Sequence, residues 1–244
     1  MLLRPLLAAA FAVAVMPSVQ AANLLTENFD DISTLAGAGW VLTNNSNPTG
    51  VNAWFQGDNI SSFSAQSGAA NSYIAANFLN ADGGGNISNW LILPTLSLND
   101  GDTLSFFTRS SQGAPDDLEV RFSSSGSSSD VGSTDVSTGD FSTLLLDVNP
   151  TLAATGFPDS WTQYSVTLTG LGGPVSGRFA FRYHVVDTFV NGDYIGIDTV
   201  SVDQSPSIPE PSTFGIFLVG MSCVAFRLSG FRLSTSNIRV KGRI

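Results

Sequence analysis

The feature that most limits what this chain can become is its punctuation. From Asn23 to Gln204, short apolar segments are broken again and again by turn-forming stretches, among them Asn47-Pro48, Gly83-Gly84-Gly85, Asn99-Asp100-Gly101-Asp102 and Gly172-Gly173-Pro174. Glycine and the Asn/Asp pair supply the backbone conformations that turns require, and proline presets φ. No stretch between them holds apolar residues at helical spacing long enough to make an amphipathic helix, so the period-two reading applies. It is clearest over residues 178–185. There Phe179, Phe181, Tyr183 and Val185 fall on one face, and Arg178, Ala180, Arg182 and His184 on the other. Strands are expected at residues 24–29, 40–43, 53–55, 72–78, 90–93, 103–108, 118–123, 143–146, 163–168, 178–185 and 194–202. Many short strands at this spacing predict an all-β domain over residues 22–204, a jelly-roll-type β-sandwich. Residues 123–140, dominated by Ser, Gly, Thr and Asp, bury too little apolar surface to offset their ordering entropy; they read as a solvated loop or a ligand-facing one.

Charge is segregated along the chain. Residues 22–208 carry nineteen carboxylates against four arginines, a net −15, and half of the ten basic residues lie at or beyond Arg227. Such a body repels phosphate backbones, which argues against a nucleic-acid partner, and is compatible with divalent cations. The single cysteine, Cys223, stands in the last apolar run, so the body has neither a disulfide framework nor thiol chemistry.

The two ends read as addresses. Arg4, the apolar run 6–16, the break at Pro17 and small residues at Val19 and Ala21 make a secretory signal peptide over 1–21, cut between Ala21 and Ala22; a membrane anchor is the alternative. At the other end a linker, 205–211, carries Pro209-Glu210-Pro211. It is followed by Ser212, an apolar segment over 212–226, and a basic tail, 227–244, that begins with Arg227 and Arg232. As a helix, 212–226 would be about 22 Å long against a bilayer core of about 30 Å, a marginal span. The cations follow it, so the positive-inside rule leaves the tail cytoplasmic and the acidic body outside. This ending resembles the PEP-CTERM sorting signal of Gram-negative bacteria. The resemblance implies transient membrane anchoring, cleavage by an exosortase near Pro209, Glu210, Pro211 and Ser212, and deposition at the cell surface or in the extracellular matrix. An uncleaved single-span transmembrane helix is the alternative.

The body also carries a resemblance. In order along it stand Glu27-Asn28-Phe29-Asp30-Asp31, Gly39-Trp40, Trp54-Phe55-Gln56-Gly57, Ser72-Tyr73-Ile74-Ala75-Ala76-Asn77-Phe78, Ile87-Ser88-Asn89-Trp90-Leu91-Ile92-Leu93-Pro94, Leu118-Glu119-Val120-Arg121, Trp161-Thr162-Gln163, Arg178-Phe179-Ala180-Phe181-Arg182-Tyr183 and Asp193-Tyr194-Ile195-Gly196-Ile197-Asp198. Together they resemble the choice-of-anchor J domain, related to the cleaved-adhesin modules of bacterial surface proteins. That resemblance implies a jelly-roll sandwich with a non-catalytic, adhesive or binding role, as in surface adhesion or biofilm, and names no ligand.

Catalytic signatures are missing. His184 is the sole histidine, and no Gly-x-Ser-x-Gly elbow, His-Glu-x-x-His run or phosphate loop occurs. A paired-carboxylate glycosidase needs no histidine, which leaves Asp116, Asp117 and Glu119 to consider. Asp117 and Glu119 would point the same way on one strand, and Asp116-Asp117 reads as a turn entering it. No enzyme is therefore expected; an extracellular carbohydrate-binding module or a glycan-active enzyme is the rival reading, and Trp40, Trp54, Trp90 and Trp161 would supply its stacking platform. All four tryptophans sit at or in apolar strand segments, which favours core packing. Asp198 stands in an apolar terminal strand, where an unpaired carboxylate is costly. First and last strands of jelly rolls are commonly neighbours, which would bring Asp198 near Glu27 and Asp30 around one structural Ca²⁺. Pairing of Asp198 with Arg178 or Arg182, or capping of backbone amides, is the alternative.

Overall fold

The computed structural model describes residues 21–111 and 113–206. The signal peptide, the sorting motif Pro209–Ser212, the apolar segment and the basic tail with Arg227 and Arg232 all lie outside the described residues. Within them, Ala21–Ser205 forms one compact unit. No helix among the described residues is long and apolar enough to cross a membrane.

The expected all-β sandwich is what the chain forms. Its strands are β1 (Asn23–Glu27), β2 (Val41–Asn44), β3 (Asn47–Thr49), β4 (Phe55–Gln56), β5 (Ile74–Asn77), β6 (Ala81–Ile92), β7 (Leu96–Leu98), β8 (Thr103–Ser110), β9 (Leu118–Ser123), β10 (Thr143–Val148), β11 (Thr162–Thr167), β12 (Val175–Val185) and β13 (Tyr194–Asp203). Two antiparallel sheets result. One runs β11-β8-β13-β5-β4, with β1 also on β13; the other runs β10-β9-β12-β6-β2, with β3 on β6 and β7 on β12. Phe179, Phe181, Tyr183 and Val185 point into the layer between the sheets, where they meet Phe106, Leu104, Ile197, Val200 and Leu91, all fully buried.

Two strands escaped the sequence reading. β3 and β7 are three residues each and polar or short, so neither carries enough period-two pattern to stand out. The Gly83-Gly84-Gly85 stretch, read as a turn, instead opens β6. Its glycines are needed for approach: a Cβ on Gly85 would collide with the backbone of Asn47 in β3, and Gly84 holds φ +79° beneath the ring of Phe189.

The 123–140 insert is a mostly exposed loop, as expected, but it is pinned to the sheet beneath it. Val131 and the adjoining Phe141 are buried against Trp90, Ile92 and Ala180 on the outer face of the seven-stranded sheet. What holds the insert down is polar. Arg178 donates to Ser127 O, Arg182 to Asp135 O, Arg121 to Phe141 O and Asn45 to Gly132 O. A guanidinium's several N–H groups can satisfy backbone carbonyls that an apolar-poor loop could not otherwise bury.

Both described ends of the unit leave from one end of the sandwich. Asn23 pairs with Asp203, and Gln204 N donates to Ala22 O. The other end, about 30 Å away along the ten residues of β13, is built from the β8–β9, β10–β11 and β12–β13 connections, where Tyr194 O receives Ser111 N and Pro158 O receives Ser110 N.

Candidate functional site

The most chemically loaded surface is the outer face of the seven-stranded sheet. Strand register sets Asp147 beside Glu119, Glu119 beside Arg182, Arg182 beside Trp90, and Trp90 beside Thr43, one residue from each of β10, β9, β12, β6 and β2. Asp117 and Glu119 do point the same way, toward His184, whose Nδ1 lies 3.9 Å from Asp117 Oδ2 and 3.6 Å from Glu119 Oε1. Both Glu119 oxygens are engaged: Oε1 by Arg121 at 3.1 Å, Oε2 by Arg121 Nε and by Arg182 at 3.1 Å. Burial pushes the Glu119 carboxyl up, but the Arg121 hydrogen bond and the two arginine charges outweigh it and hold it below its ordinary value. Arg182 is buried too, stacked over Trp90 at 5.1 Å. His184, on the face opposite the core residues of β12, is half-buried, and burial together with Arg182 lowers its pKa.

Asp147 is the residue the sequence reading missed. Buried oxygens of both Asp117 and Asp147 lack a conventional partner. Burial, then a hydrogen bond with Asp147, pushes Asp117 up to about 9, so at neutral pH a proton on Asp117 joins the two carboxyl groups. Its position inside Leu144-Leu145-Leu146-Asp147-Val148 is the signal that could have found it, the same apolar-strand context that singled out Asp198. Asp117 and Asp147 lie together in one buried cluster, and are not set on opposite sides of an open groove as carboxylates flanking a glycosidic bond must be. This cluster satisfies itself.

The proposed calcium corner forms in part. β1 lies beside β13, with Glu27 opposite Val200, as expected. Asp198 is fully buried and pairs with neither Arg178 nor Arg182. Its Oδ2 accepts from Gln66 N at 2.8 Å and Ser67 N at 3.1 Å, and its Oδ1 from Thr199 N at 2.6 Å. Burial raises its pKa while those amides pull it back. Asp30 Oδ1 stands near Gly68 on the same loop, and Glu27 Oε1 accepts from Phe29 N at 2.7 Å. Among the described residues no three His, Cys, Asp or Glu side chains are grouped as a metal site; as arranged, Glu27 and Asp198 accept from backbone amides.

The tryptophans offer no platform. Trp40, Trp54 and Trp90 are buried. Trp161, half-buried, donates Nε1–H to Ser64 O and packs edge-on against Phe63 and Tyr73. Phe63 comes from the 57–72 loop, which folds over the outer face of the six-stranded sheet onto Tyr73, Tyr194 and the Arg109 guanidinium, 4.2 Å above its ring. Gly196 lies beneath these rings, and a Cβ there would press into Phe63, Trp161 and Tyr73 at 2.9 Å.

An open concavity lies at the end of the sandwich away from the two described ends of the chain. A cleft of about 420 Å³ lies between the β8–β9 and β10–β11 connections, walled by Ser110, Ser111, Ala153, Ala154 and Phe157 with Asp116 among its lining. Asp116 is fully buried. Its Oδ1 accepts from Tyr183 OH at 2.6 Å and Asp193 N at 2.9 Å, and its Oδ2 has no partner. Thus Asp116 and Asp117, adjacent in sequence, serve different places, one at the end cleft and one on the outer face. Burial, offset by its two donors, leaves Asp116 pushed up to about 7.

No family model and no curated protein matches the chain. Solved structures do. The K1 cleaved adhesin domain of Lys-gingipain from Porphyromonas gingivalis W83 is 20% identical over 75% of this chain and 99% of that domain, with a TM-score of 0.50. The K3 domain of the same protein is 25% identical over 74% of this chain and 98% of that domain, also at 0.50. The K2 domain is 18% identical over 74% and 99%, again at 0.50. In fold, then, the described unit is similar to the cleaved adhesin domains of a bacterial Lys-gingipain.

Proposed function

We propose that this chain is an exported, non-catalytic binding β-sandwich of adhesive type. The signal peptide 1–21 directs it out of the cytoplasm, and the segment 212–226 holds it at the inner membrane. An exosortase then cuts near Pro209–Ser212, and the acidic body is left at the cell surface or in the extracellular matrix of a Gram-negative bacterium. The observation that supports a binding role over catalysis is that the charged groups of the outer face are consumed by one another. Glu119 is clamped by two arginines, Asp117 shares a proton with Asp147, and three of the four tryptophans are buried. Nothing there is left to act on a substrate. The likeness to cleaved adhesin domains, 25% identical for K3, supports the adhesive reading.

Mass spectrometry of the native protein tests the delivery part. Termini at Ala22 and near Pro209–Ser212 are expected; an intact Ile244 on protein recovered outside the cell would sink the sorting proposal. A structural calcium ion at Glu27, Asp30 and Asp198 is a separate proposal, on which no part of this reading depends.

A further inference from the structure

The end cleft combines three properties. It is open, it has a size ordinary for a ligand site at about 420 Å³, and it holds a buried polar atom without a partner. A buried carboxylate oxygen with no donor costs free energy that a ligand could recover. Asp116 Oδ1 is already taken by Tyr183 and Asp193, so Oδ2 is the oxygen turned away from those donors.

The walls indicate which ligand. Ala153, Ala154 and Phe157 are apolar and suit a methylene stem, while Ser110 and Ser111 offer hydroxyls. Asp159 also lines the cleft, and Asp193 stands beside it, its Oδ2 accepting from Ser111 Oγ at 3.1 Å. No lysine or arginine is among the lining residues. Arg109 donates to Asp159 O, carries its guanidinium over Phe63, and lies close enough to the Asp159 carboxylate to interact with its charge, which leaves Asp116 as the carboxyl open to a ligand cation. A body carrying −15 adds a long-range field of the same sign. A second copy of the chain, equally acidic, would be repelled. Both described ends of the unit leave from the opposite end of the sandwich, so a partner reaching the cleft does not meet them.

We infer that the end cleft receives a cationic side chain, the ammonium of a lysine or the guanidinium of an arginine, from a protein partner, with Asp116 as its counter-charge. The inference rests on the reading of the sandwich as a binding module and supplies the ligand chemistry. The groups facing Asp116 are Tyr183 from β12, which burial keeps neutral, and Asp193 just ahead of β13, with Asp159 also lining the cleft. Neither neighbouring carboxylate can substitute for the missing cation. Entry of the cation favours ionised Asp116 and releases its proton to solvent.

The test uses the Ala22–Ser205 unit, which contains every strand described and the whole core. It is labelled with ¹⁵N and titrated with Nα-acetyl-lysine methylamide, with the uncharged Nα-acetyl-norleucine methylamide, and with methyl β-glucoside. The lysine probe is expected to shift the amides of Ser110, Ser111, Ala153 and Ala154 and to bind at least tenfold more tightly than norleucine. Because Asp116 ionises near pH 7, affinity should fall about tenfold from pH 8 to pH 6, following the ionised fraction. Asp116→Asn, which keeps the Oδ1 acceptor for Tyr183 and Asp193, should erase both the preference and the pH dependence. Ala154→Trp, at an exposed position, should block binding with the remaining spectrum intact.

Equal binding of lysine and norleucine, or an Asp116→Asn protein that keeps the pH-dependent preference, overturns the inference. So does methyl β-glucoside shifting the same amides as strongly, which would make the cleft a sugar subsite. If these arms fail while the unit still adheres to a matrix-coated surface, the cleft assignment falls and the adhesive reading stands. Turnover of a substrate by the unit would overturn that reading and leave the titration result untouched.

Discussion

Replacing Asp117 with asparagine should remove a loss of stability that the wild-type protein suffers as pH rises. Folding lifts the Asp117 carboxyl from 3.8 to about 9, burial being the first cause and its hydrogen bond with Asp147 the second. The folded state therefore holds a proton that the unfolded chain has released. Stability from such a group is fully present below its unfolded pKa and is lost as pH climbs toward the folded one, at about 1.4 kcal/mol per pH unit. Between pH 5 and pH 8 this one site removes about 4 kcal/mol. An asparagine amide still donates to Asp147 and binds no proton, so at pH 5 the variant should lie within about 1 kcal/mol of wild type. At pH 8 it should be the more stable protein by about 3–4 kcal/mol. Urea unfolding followed by tryptophan fluorescence at pH 5, 6.5 and 8 reads this directly. Asp116 also loses stability with rising pH up to about 7, but it does so in both proteins and cancels in the difference. Parallel pH profiles for wild type and Asp117→Asn would refute the shared proton.

Other perturbations probe other parts. Phe63→Ala should cost about 3 kcal/mol in urea unfolding, because it removes the ring on which the 57–72 loop, Tyr73, Tyr194 and Arg109 converge. Asp198→Asn places an amide donor against the Gln66, Ser67 and Thr199 N–H groups and should cost about 1–3 kcal/mol with or without chelator. A melting temperature that chelator lowers in wild type and not in this variant would instead assign calcium to Glu27, Asp30 and Asp198. Replacing Pro209-Glu210-Pro211 should trap a longer species in the inner membrane, visible on immunoblots of membrane fractions; release of normal-length protein would contradict exosortase cleavage.

What could be read from the sequence was whatever a short-range pattern encodes. The alternation Arg178–Val185 announced β12 and which of its faces meets the core, and Asp198 in an apolar strand announced a satisfied buried carboxylate. Adjacency of β1 and β13 followed from the expected fold and was found. The missed features depend on pairing between distant strands. Asp147 and Glu119 become neighbours through the β9–β10 register, and a bulge between Leu144 and Leu146 shifts that register, so no local rule places Asp147 near Asp117. Composition alone counts the insert's apolar side chains and overlooks that two arginines of β12, Arg178 and Arg182, remote in sequence, can bind its carbonyls. The end cleft exists only because the β8–β9 and β10–β11 connections meet at one end of the sandwich, a consequence of winding that neither segment reveals by itself.

The central claim, that this sandwich binds and does not catalyse, is tested most directly by incubating purified residues 22–204 with a panel of polysaccharides and peptides and following product release by mass spectrometry. No hydrolysis is expected, because Glu119 is locked between Arg121 and Arg182 and the Asp117–Asp147 pair is in contact rather than set apart across a groove. Turnover that Glu119→Gln abolishes, with the folded spectrum retained, would contradict the account and make the protein an enzyme.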